Sequence, residues 1–193
     1  MKRSRTAFVV LGMLAVEPRR SGYDIRKAIE ASVGHFWGES YGQIYPTLKR
    51  LASEGLIEPV PSPRSKRRQE YCITEAGRVC LREWLALPFQ NDRPRNEFLL
   101  KLFFASEVSP QVAIGHIREM QARNQRALET MEQIEKLAPK MNAGNPGLPY
   151  WMLTLGLGMA MTRAALDWGQ TALAELETLE GASGASVPAG HRT

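Results

Sequence analysis

The chain has 193 residues, long enough for one large or two small domains, and carries a formal net charge of +5. The basic excess lies in residues 1–90, which hold 15 Lys and Arg against 9 Asp and Glu, whereas residues 91–193 hold 10 against 11. The two cysteines lack CxxC spacing and we identify no cleavable signal peptide, which argues against a disulfide-stabilised secreted protein. No apolar stretch reaches the ~20 residues that a bilayer requires, which argues against a membrane protein. We therefore expect a cytoplasmic protein.

Two short helices are predicted at the start of the chain. Thr6 is the expected cap of the first, whose apolar positions share one face before Glu17-Pro18 ends it (Ala7, Val10, Leu11 and Leu14). Ser21 and Asp24 have the spacing of a capping box that opens a second helix, which Gly34 would end. We expect its packing residues to be Tyr23, Ile25, Ala28 and Ile29.

A connector with two aromatic residues precedes the third helix. Phe36 and Trp37 could stack on a ligand or a base, but bulky rings between short helices more often pack into a core, which is the interpretation that we favour. The third helix is predicted over residues 40–55, with Ser40 and Gln43 at capping-box spacing. Its apolar positions repeat at helical intervals until Gly55 (Ile44, Leu48 and Leu51). Pro46 lies either in the first turn or at a kink.

A β-hairpin and a fourth helix follow. Residues 56–60 and 69–73 read as strands, joined by a segment with two prolines and a basic cluster. Three helices followed by a hairpin is the order of a winged helix-turn-helix. Thr74 is the expected cap of the fourth helix, in which one face carries Cys80, Leu81, Trp84 and Leu85. Cys80 is expected to be buried rather than reactive.

The polar, proline-containing segment 89–95 predicts a domain boundary. Residues 1–90 would form a winged helix-turn-helix DNA-binding domain, residues 95–180 a helical dimerisation and effector domain, and residues 181–193 a disordered tail. The fold class is therefore mostly α, with a small β-hairpin wing. In the second half we expect a dense apolar helix at 96–105, a long helix from Ser109-Pro110 to about Ala138, a loop at 139–149, and a last helix from Tyr150 to about Leu179.

The long helix carries a heptad seam, which favours a helix-to-helix interface. Its members alternate steps of four and three: Ala113, Ile117, Met120, Asn124, Ala127, Met131, Ile134 and Ala138. From these we predict the dimerisation residues Ile117, Met120, Asn124, Met131 and Ile134. The last helix is rich in small residues around Gly156, which would let another helix approach its backbone closely.

No catalytic set or metal site is predicted. The three histidines, His35, His116 and His191, lie in a connector, a helix and the tail, without a second ligand at metal spacing. No nucleophile, phosphate-binding or dinucleotide motif occurs, so we expect neither an enzyme nor a cofactor.

The third helix and the hairpin together predict a surface for duplex DNA. Side chains near the start of a recognition helix read base edges in the major groove, and wing side chains reach phosphates or the minor groove. Gln43 could pair with adenine or be used in capping, and only one of Lys49 and Arg50 need face the phosphates. A basic loop alone is commonly just exposed, but its place beside the helix favours DNA binding. The predicted DNA-binding residues are Ser40, Tyr41, Gln43, Tyr45, Lys49, Arg64, Lys66, Arg67 and Arg68.

Two motifs resemble the PadR-like transcriptional regulators. The first is YP-x-L-x-x-L-x-x-x-G-L-I, from Tyr45 to Ile57, and the second is Y-x-I-T-x-x-G, from Tyr71 to Gly77. The second half, with Ala165, Leu166 and Trp168, resembles the larger members of that family. The resemblance implies a dimer formed by C-terminal helices that represses transcription until an apolar or aromatic effector binds.

Two further expectations concern partners. Tyr150, Trp151 and Trp168 would line an effector cavity, although each is individually more typical of a packed core or interface. The main hypothesis is a homodimeric repressor on a pseudo-palindromic operator. The alternative is a winged helix that binds protein partners in a larger complex, which the basic wing disfavours.

Overall fold

A computed structural model describes residues 4–34, 36–37, 41–61, 68–90 and 95–184, and omits the side chains of Tyr41 and residues 179–184. The chain divides into two compact units, Met1–Asn91 and Asp92–Thr193, called here the N-terminal and C-terminal units. It is mostly helical with one small antiparallel sheet, which confirms the predicted fold class. None of the helices in the described part is long and apolar enough to cross a membrane.

The N-terminal unit is built from four helices and three strands. The helices are α1 (Arg5–Val16), α2 (Gly22–Ser32), α3 (Ile44–Ser53) and α4 (Glu75–Leu85), and the strands are β1 (Arg20–Ser21), β2 (Ile57–Pro61) and β3 (Gln69–Ile73). Each of the four helices contributes buried side chains to a single core. Its fully buried side chains include Val10, Leu11, Leu14, Ile25, Leu48 and Leu51.

The sheet has the strand order β1-β3-β2, with both pairings antiparallel. Ile57 lies opposite Ile73, and Arg20 lies opposite Tyr71. The hairpin β2–β3 is the predicted wing, whereas β1 was not predicted because two residues are too few to display an alternating pattern. Pro59 and Pro61 are tolerated in β2 because it is an edge strand.

Two capping residues, Ser21 and Thr74, make hydrogen bonds at the starts of α2 and α4. Ser21 and Asp24 form the predicted capping box of α2, in which Ser21 Oγ accepts from the backbone N–H of Asp24 at 3.3 Å. Thr74 Oγ1 caps α4 by accepting from Gly77 N–H at 3.1 Å, and it donates to the carbonyl of Gly55 at 2.8 Å. Thr74 thus joins the end of the α3 segment to the start of α4.

Several sequence predictions for the N-terminal unit are wrong. Thr6 does not cap α1, which begins at Arg5 after Ser4 without a side-chain cap. Phe36 is 54% exposed rather than a core residue, while Trp37 is half-buried. Tyr23 and Leu85 are exposed, because the core is closed without them by Ile25 and Cys80 on the same helices. Trp84, also partly exposed, stacks on Phe8 with ring centroids 4.5 Å apart.

The C-terminal unit consists of α5 (Glu97–Phe103), α6 (Pro110–Met141) and α7 (Leu148–Gly184). Asn96 caps α5, and Pro110 occupies the first turn of α6 as predicted. The predicted loop at 139–149 was too long, because α6 continues past Pro139, whose missing N–H lies in the last turn. Similarly, α7 continues through residues 181–184, the start of the predicted disordered tail; residues 185–193 lie outside the described residues.

Helices α6 and α7 pack against each other along their apolar faces. Leu128 and Met131 of α6 form a buried cluster with Leu155 and Met159 of α7. Within the described part of this chain no helix makes the predicted close approach at Gly156, since apart from the adjoining backbone of α7 no atom lies within 4 Å of a Cβ placed there. Close approach occurs instead at Gly169, where an added Cβ would lie 2.9 Å from the side chain of Gln121.

Candidate nucleic-acid interface

Helix α3 separates an apolar face from a polar one. A 3-10 turn, Tyr41–Gln43, leads into the helix, and Ile44, Leu48 and Leu51 bury their side chains in the core. Gln43, Tyr45 and Lys49 are exposed, and Tyr45 and Lys49 lie four residues apart, on one helix face. The helix therefore presents a polar and aromatic surface at its N-terminal end, where a recognition helix reads bases.

The structure decides two questions that the sequence left open at the start of α3: whether the Gln43 side chain caps the helix, and where Pro46 lies in it. Gln43 is the N-cap residue, but its side chain makes no capping hydrogen bond, so its amide is available to a partner. Pro46 is the third residue of the helix and thus lies in the first turn, where its missing N–H costs nothing. The proposed capping partner Ser40 lies outside the described residues.

Lys49 and Arg50 have different roles. The guanidinium of Arg50 donates to Ser4 Oγ at 3.0 Å and lies 3.9 Å from a carboxylate oxygen of Glu54. These contacts hold Arg50 against the start of α1. Lys49 is exposed on the face that carries Tyr45, so Lys49 is the cation of this pair that is placed for phosphate contact.

Tyr45 projects from α3 over the beginning of α2. A Cβ added at Gly22 would lie 2.7 Å from Cε1 of Tyr45, so a larger residue at that position would force the ring to move. Tyr45 nevertheless remains 60% exposed. One side of the ring is thus held by the protein while the rest faces solvent, which orders an aromatic side chain for contact with a base or a sugar.

The base of the wing is connected to α2 through an aromatic ring. The guanidinium carbon of Arg68, which directly precedes β3, lies 5.4 Å from the ring centroid of Tyr23, and Lys27 Nζ lies 5.0 Å from the same centroid. Such cation–π contacts hold both cations beside the ring. Arg68 is exposed, as predicted, whereas Arg64, Lys66 and Arg67 lie outside the described residues.

A carboxylate supports this basic cluster from α2. The hydroxyl of Ser21 donates to Asp24 Oδ2 at 2.7 Å, and this bond, followed by the bond from the Ser21 backbone N–H and the charges of Arg68 and Arg20, holds the pKa of Asp24 below its usual value. A hydrogen bond with Tyr23 raises the pKa of Lys27. Both groups are therefore charged at neutral pH, and the cationic side chains remain on the surface.

Tyr23 and Lys27 were missed as members of this surface. The sequence places them four residues apart on α2, immediately after the Ser21 capping box, and that spacing is the signal that could have identified a shared exposed face. Tyr23 was instead assigned to packing because aromatic residues are usually buried.

The predicted effector residues do not come together. Trp168 lines a cavity of about 670 Å³ between α5, α6 and α7. Tyr150 is 71% exposed, and Trp151 packs over Gly147, where an added Cβ would lie 2.9 Å from its ring. Neither lines that cavity.

The predicted dimerisation residues occupy three environments. Ile117 and Met131 are buried within the single chain, so their side chains are not on the surface. Met120 and Asn124 line the cavity beside Trp168. Ile134 is 37% exposed and accessible to another molecule. The assignment of these residues to a dimer interface stays a prediction.

The described residues contain no cluster of three or more His, Cys, Asp or Glu arranged to hold a metal ion. Cys72 and Cys80 are not in a disulfide, and Cys80 is buried in the core as expected.

Each half of the chain matches the model of a protein family. Residues 10–83 match the model of the transcriptional regulator PadR-like family, and residues 94–177 match the model described as virulence activator alpha C-term. The two matches cover the winged unit and the three helices of the C-terminal unit.

Individual relatives agree over nearly the full length. The negative transcriptional regulator PadR of Bacillus subtilis is 28% identical over 180 residues, which cover 88% of this chain and 96% of that protein. Bacillus subtilis PadR in complex with operator DNA has a TM-score of 0.76 at 26% identity, covering 90% of this chain and 99% of that one. The same protein in complex with p-coumaric acid has a TM-score of 0.67 at 26% identity, covering 88% and 99%. Because both family models, both motifs and the fold agree, this chain belongs to the PadR-like family of transcriptional regulators.

Proposed function

We propose that this chain is a homodimeric, sequence-specific transcriptional repressor of the cytoplasm that binds a pseudo-palindromic operator and is released by a small molecule. The observation that carries the proposal is the exposed face of α3. It presents Gln43, Tyr45 and Lys49 opposite a buried apolar face, with Arg68 at the base of the adjacent wing.

This arrangement suits a division between base reading and phosphate binding. A major groove accommodates one helix, and the free amide of Gln43 can pair with an adenine edge. The partly supported ring of Tyr45 adds contact area beside it. Lys49, Arg68 and Lys27 are positioned for phosphates, which contribute affinity and orientation but carry no sequence information. Ser40, Tyr41, Arg64, Lys66 and Arg67 complete the proposed surface on the basis of their positions in the sequence.

An exposed apolar surface on α5 supports dimerisation. None of the residues of α5 is buried within the chain. Leu100 is 58% exposed, Phe103 80% and Phe104 57%. Exposed apolar side chains of this size in one short segment are typical of a protein interface, and a second copy of the chain would cover them. A two-fold dimer would then present two α3 helices to half-sites separated by about one turn of duplex DNA or a small multiple.

The relatives support the proposed repression and its relief by an effector. The B. subtilis relative is a negative regulator whose structures include complexes with operator DNA and with p-coumaric acid. We infer the same two states for this chain, one bound to DNA and one bound to an effector. An effector lowers DNA affinity only if it binds the second state more tightly.

Selection from random-sequence duplexes at low salt tests this function. The full chain should enrich a palindrome with two half-sites, and operator binding should weaken steeply as salt rises. The alternative, a winged helix that serves as a protein-interaction module, is favoured if no duplex is retained while the chain captures a protein partner in the same buffer.

A further inference from the structure

The base of the wing meets α2 through a contact that continues the pairing of two strands. The last pair of the β1–β3 ladder is Ser21 with Glu70, and α2 begins at Gly22. Continuing this antiparallel register by two positions brings Tyr23 opposite Arg68. The side chains of these two residues therefore extend the connection between β1 and β3 after the backbone has entered the helix.

The ring of Tyr23 lies close to the guanidinium of Arg68. The guanidinium carbon is 5.4 Å from the ring centroid, within the ~6 Å over which the face of an aromatic ring attracts a cation. The hydrogen bonds from Ser21, and after them the charge of Arg68, hold the pKa of Asp24 below its usual value. Arg68 is thus near both an aromatic ring and a carboxylate of α2.

Lys27 depends less on the ring than Arg68 does. Its Nζ lies 5.0 Å from the same centroid. Because Lys27 follows Tyr23 by four residues on α2, the helix itself places the two side chains together. Arg68 belongs to a different segment of the chain, so its contact with Tyr23 links the wing to α2.

This link orders a cation that faces solvent. Arg68 is exposed, and Tyr23 is 43% exposed. A long exposed side chain loses rotamer freedom when it is immobilised against a partner, which reduces affinity. A ring that already holds the guanidinium in the DNA-free protein lowers that loss, which is how preorganisation raises affinity.

We propose that Tyr23 is a positioning residue for operator binding, which holds Arg68 and the base of the wing in the orientation that contacts a DNA phosphate and does not itself contact DNA. The effect on the operator rests on the proposed function, whereas the contact between Tyr23 and Arg68 in the free protein does not.

Titration of the full-length protein with an operator selected from random-sequence duplexes tests the role of the ring. Tyr23→Leu should weaken binding about five- to thirtyfold, as expected if each subunit of the proposed dimer loses one exposed cation–π contact. Tyr23→Phe keeps the ring and should bind within about twofold of the wild type. Phe89→Leu, which removes a ring that is 90% exposed in the same unit, should bind as the wild type does. Wild-type affinity in Tyr23→Leu, or equal losses in Tyr23→Leu and Tyr23→Phe, would overturn the proposal.

A double-mutant cycle with Arg68→Ala distinguishes positioning from direct contact. If Tyr23 acts through Arg68, Tyr23→Leu should change operator affinity by less than about twofold in the Arg68→Ala background. Losses that multiply would show that the ring contacts DNA or supports the fold independently of Arg68, and would overturn the positioning role.

NMR spectroscopy of the DNA-free protein with labelled arginine tests the contact by itself. The ring current of Tyr23 should shift the side-chain resonances of Arg68 upfield. This shift should be lost in Tyr23→Leu and kept in Tyr23→Phe. A wild-type protein without the shift would overturn the proposal. If the wild type binds no selected operator, the proposed function fails, and the NMR result still decides whether Tyr23 holds Arg68.

Discussion

Single glycines determine how closely the elements of the winged unit pack. A Cβ at Gly77 would lie 2.1 Å from the carbonyl oxygen of Leu56, so the first turn of α4 can approach the start of the wing only without a side chain. Gly55, with φ of 69°, ends α3 in the left-handed conformation that glycine adopts readily. The two glycines of the sequence motifs thus have a structural reason, independent of DNA.

Gly77→Ala should destabilise the protein by about 1–3 kcal/mol, the usual cost of overpacking. Gly115→Ala is the matched control, because no atom in the described part of the chain lies within 4 Å of a Cβ there. Within a helix this change should stabilise by about 0.5–1 kcal/mol. Urea unfolding followed by circular dichroism measures both, and equal midpoints for the two variants would contradict the assignment.

Asp24 makes the stability of α2 depend on pH. Its folded-state pKa lies below the ordinary value of 3.8, chiefly because of the hydrogen bond from Ser21. The ionised carboxylate therefore stabilises the fold above about that pH, and its contribution is lost as the pH falls through the lower folded-state value. Asp24→Asn should cost about 0.5–1 kcal/mol at neutral pH, because it removes a negative charge from the first turn of the helix.

The cost of Asp24→Asn should shrink in acid, where the wild-type carboxyl is also protonated. Unfolding free energies of both proteins, measured from neutral pH down to the lowest pH at which each stays folded, test this. A difference that does not change with pH would show that the charge of Asp24 contributes nothing.

At the scale of elements, the helix caps and strands that short sequence patterns encode were predicted correctly. The capping box of Ser21, the cap at Thr74 and both wing strands follow from residue type and spacing, and each is present to within about one residue. Strand β1 was missed because only its pairing with β3 defines it. The continuation of α6 past Pro139 was also missed, because the lost hydrogen bond falls in the last turn, where it costs little.

The heptad pattern of α6 illustrates a different limit. It predicts a helix-to-helix seam but does not specify the partner helix. Met131 packs on α7 of the same chain, while Met120 and Asn124 line the cavity. Likewise, the spacing of aromatic residues could not distinguish Trp168, which lines the cavity, from Tyr150, which is exposed. Such choices depend on tertiary packing that local periodicity does not contain.

At the scale of the whole molecule, operator binding should depend on dimerisation. Phe103→Glu places a charge on the exposed apolar surface of α5 and should raise the dimer dissociation constant at least tenfold, since burial of an unpaired charge is costly. Phe89→Glu is the control, because Phe89 is 90% exposed in the N-terminal unit and belongs to no proposed interface. Sedimentation equilibrium measures the dissociation constants, and a Phe103→Glu protein as dimeric as the control would exclude α5 as the contact.

The salt dependence of operator affinity tests most directly whether the exposed face of α3 binds DNA. Each protein–phosphate contact contributes about 0.9 to the slope of log affinity against log salt. In the proposed dimer, Lys49→Ala would remove one contact in each of two subunits, so its slope should be shallower than that of the wild type by about 2. Lys136→Ala, which removes an exposed lysine of α6, should leave the slope unchanged. Equal slopes for Lys49→Ala and the wild type would contradict the account.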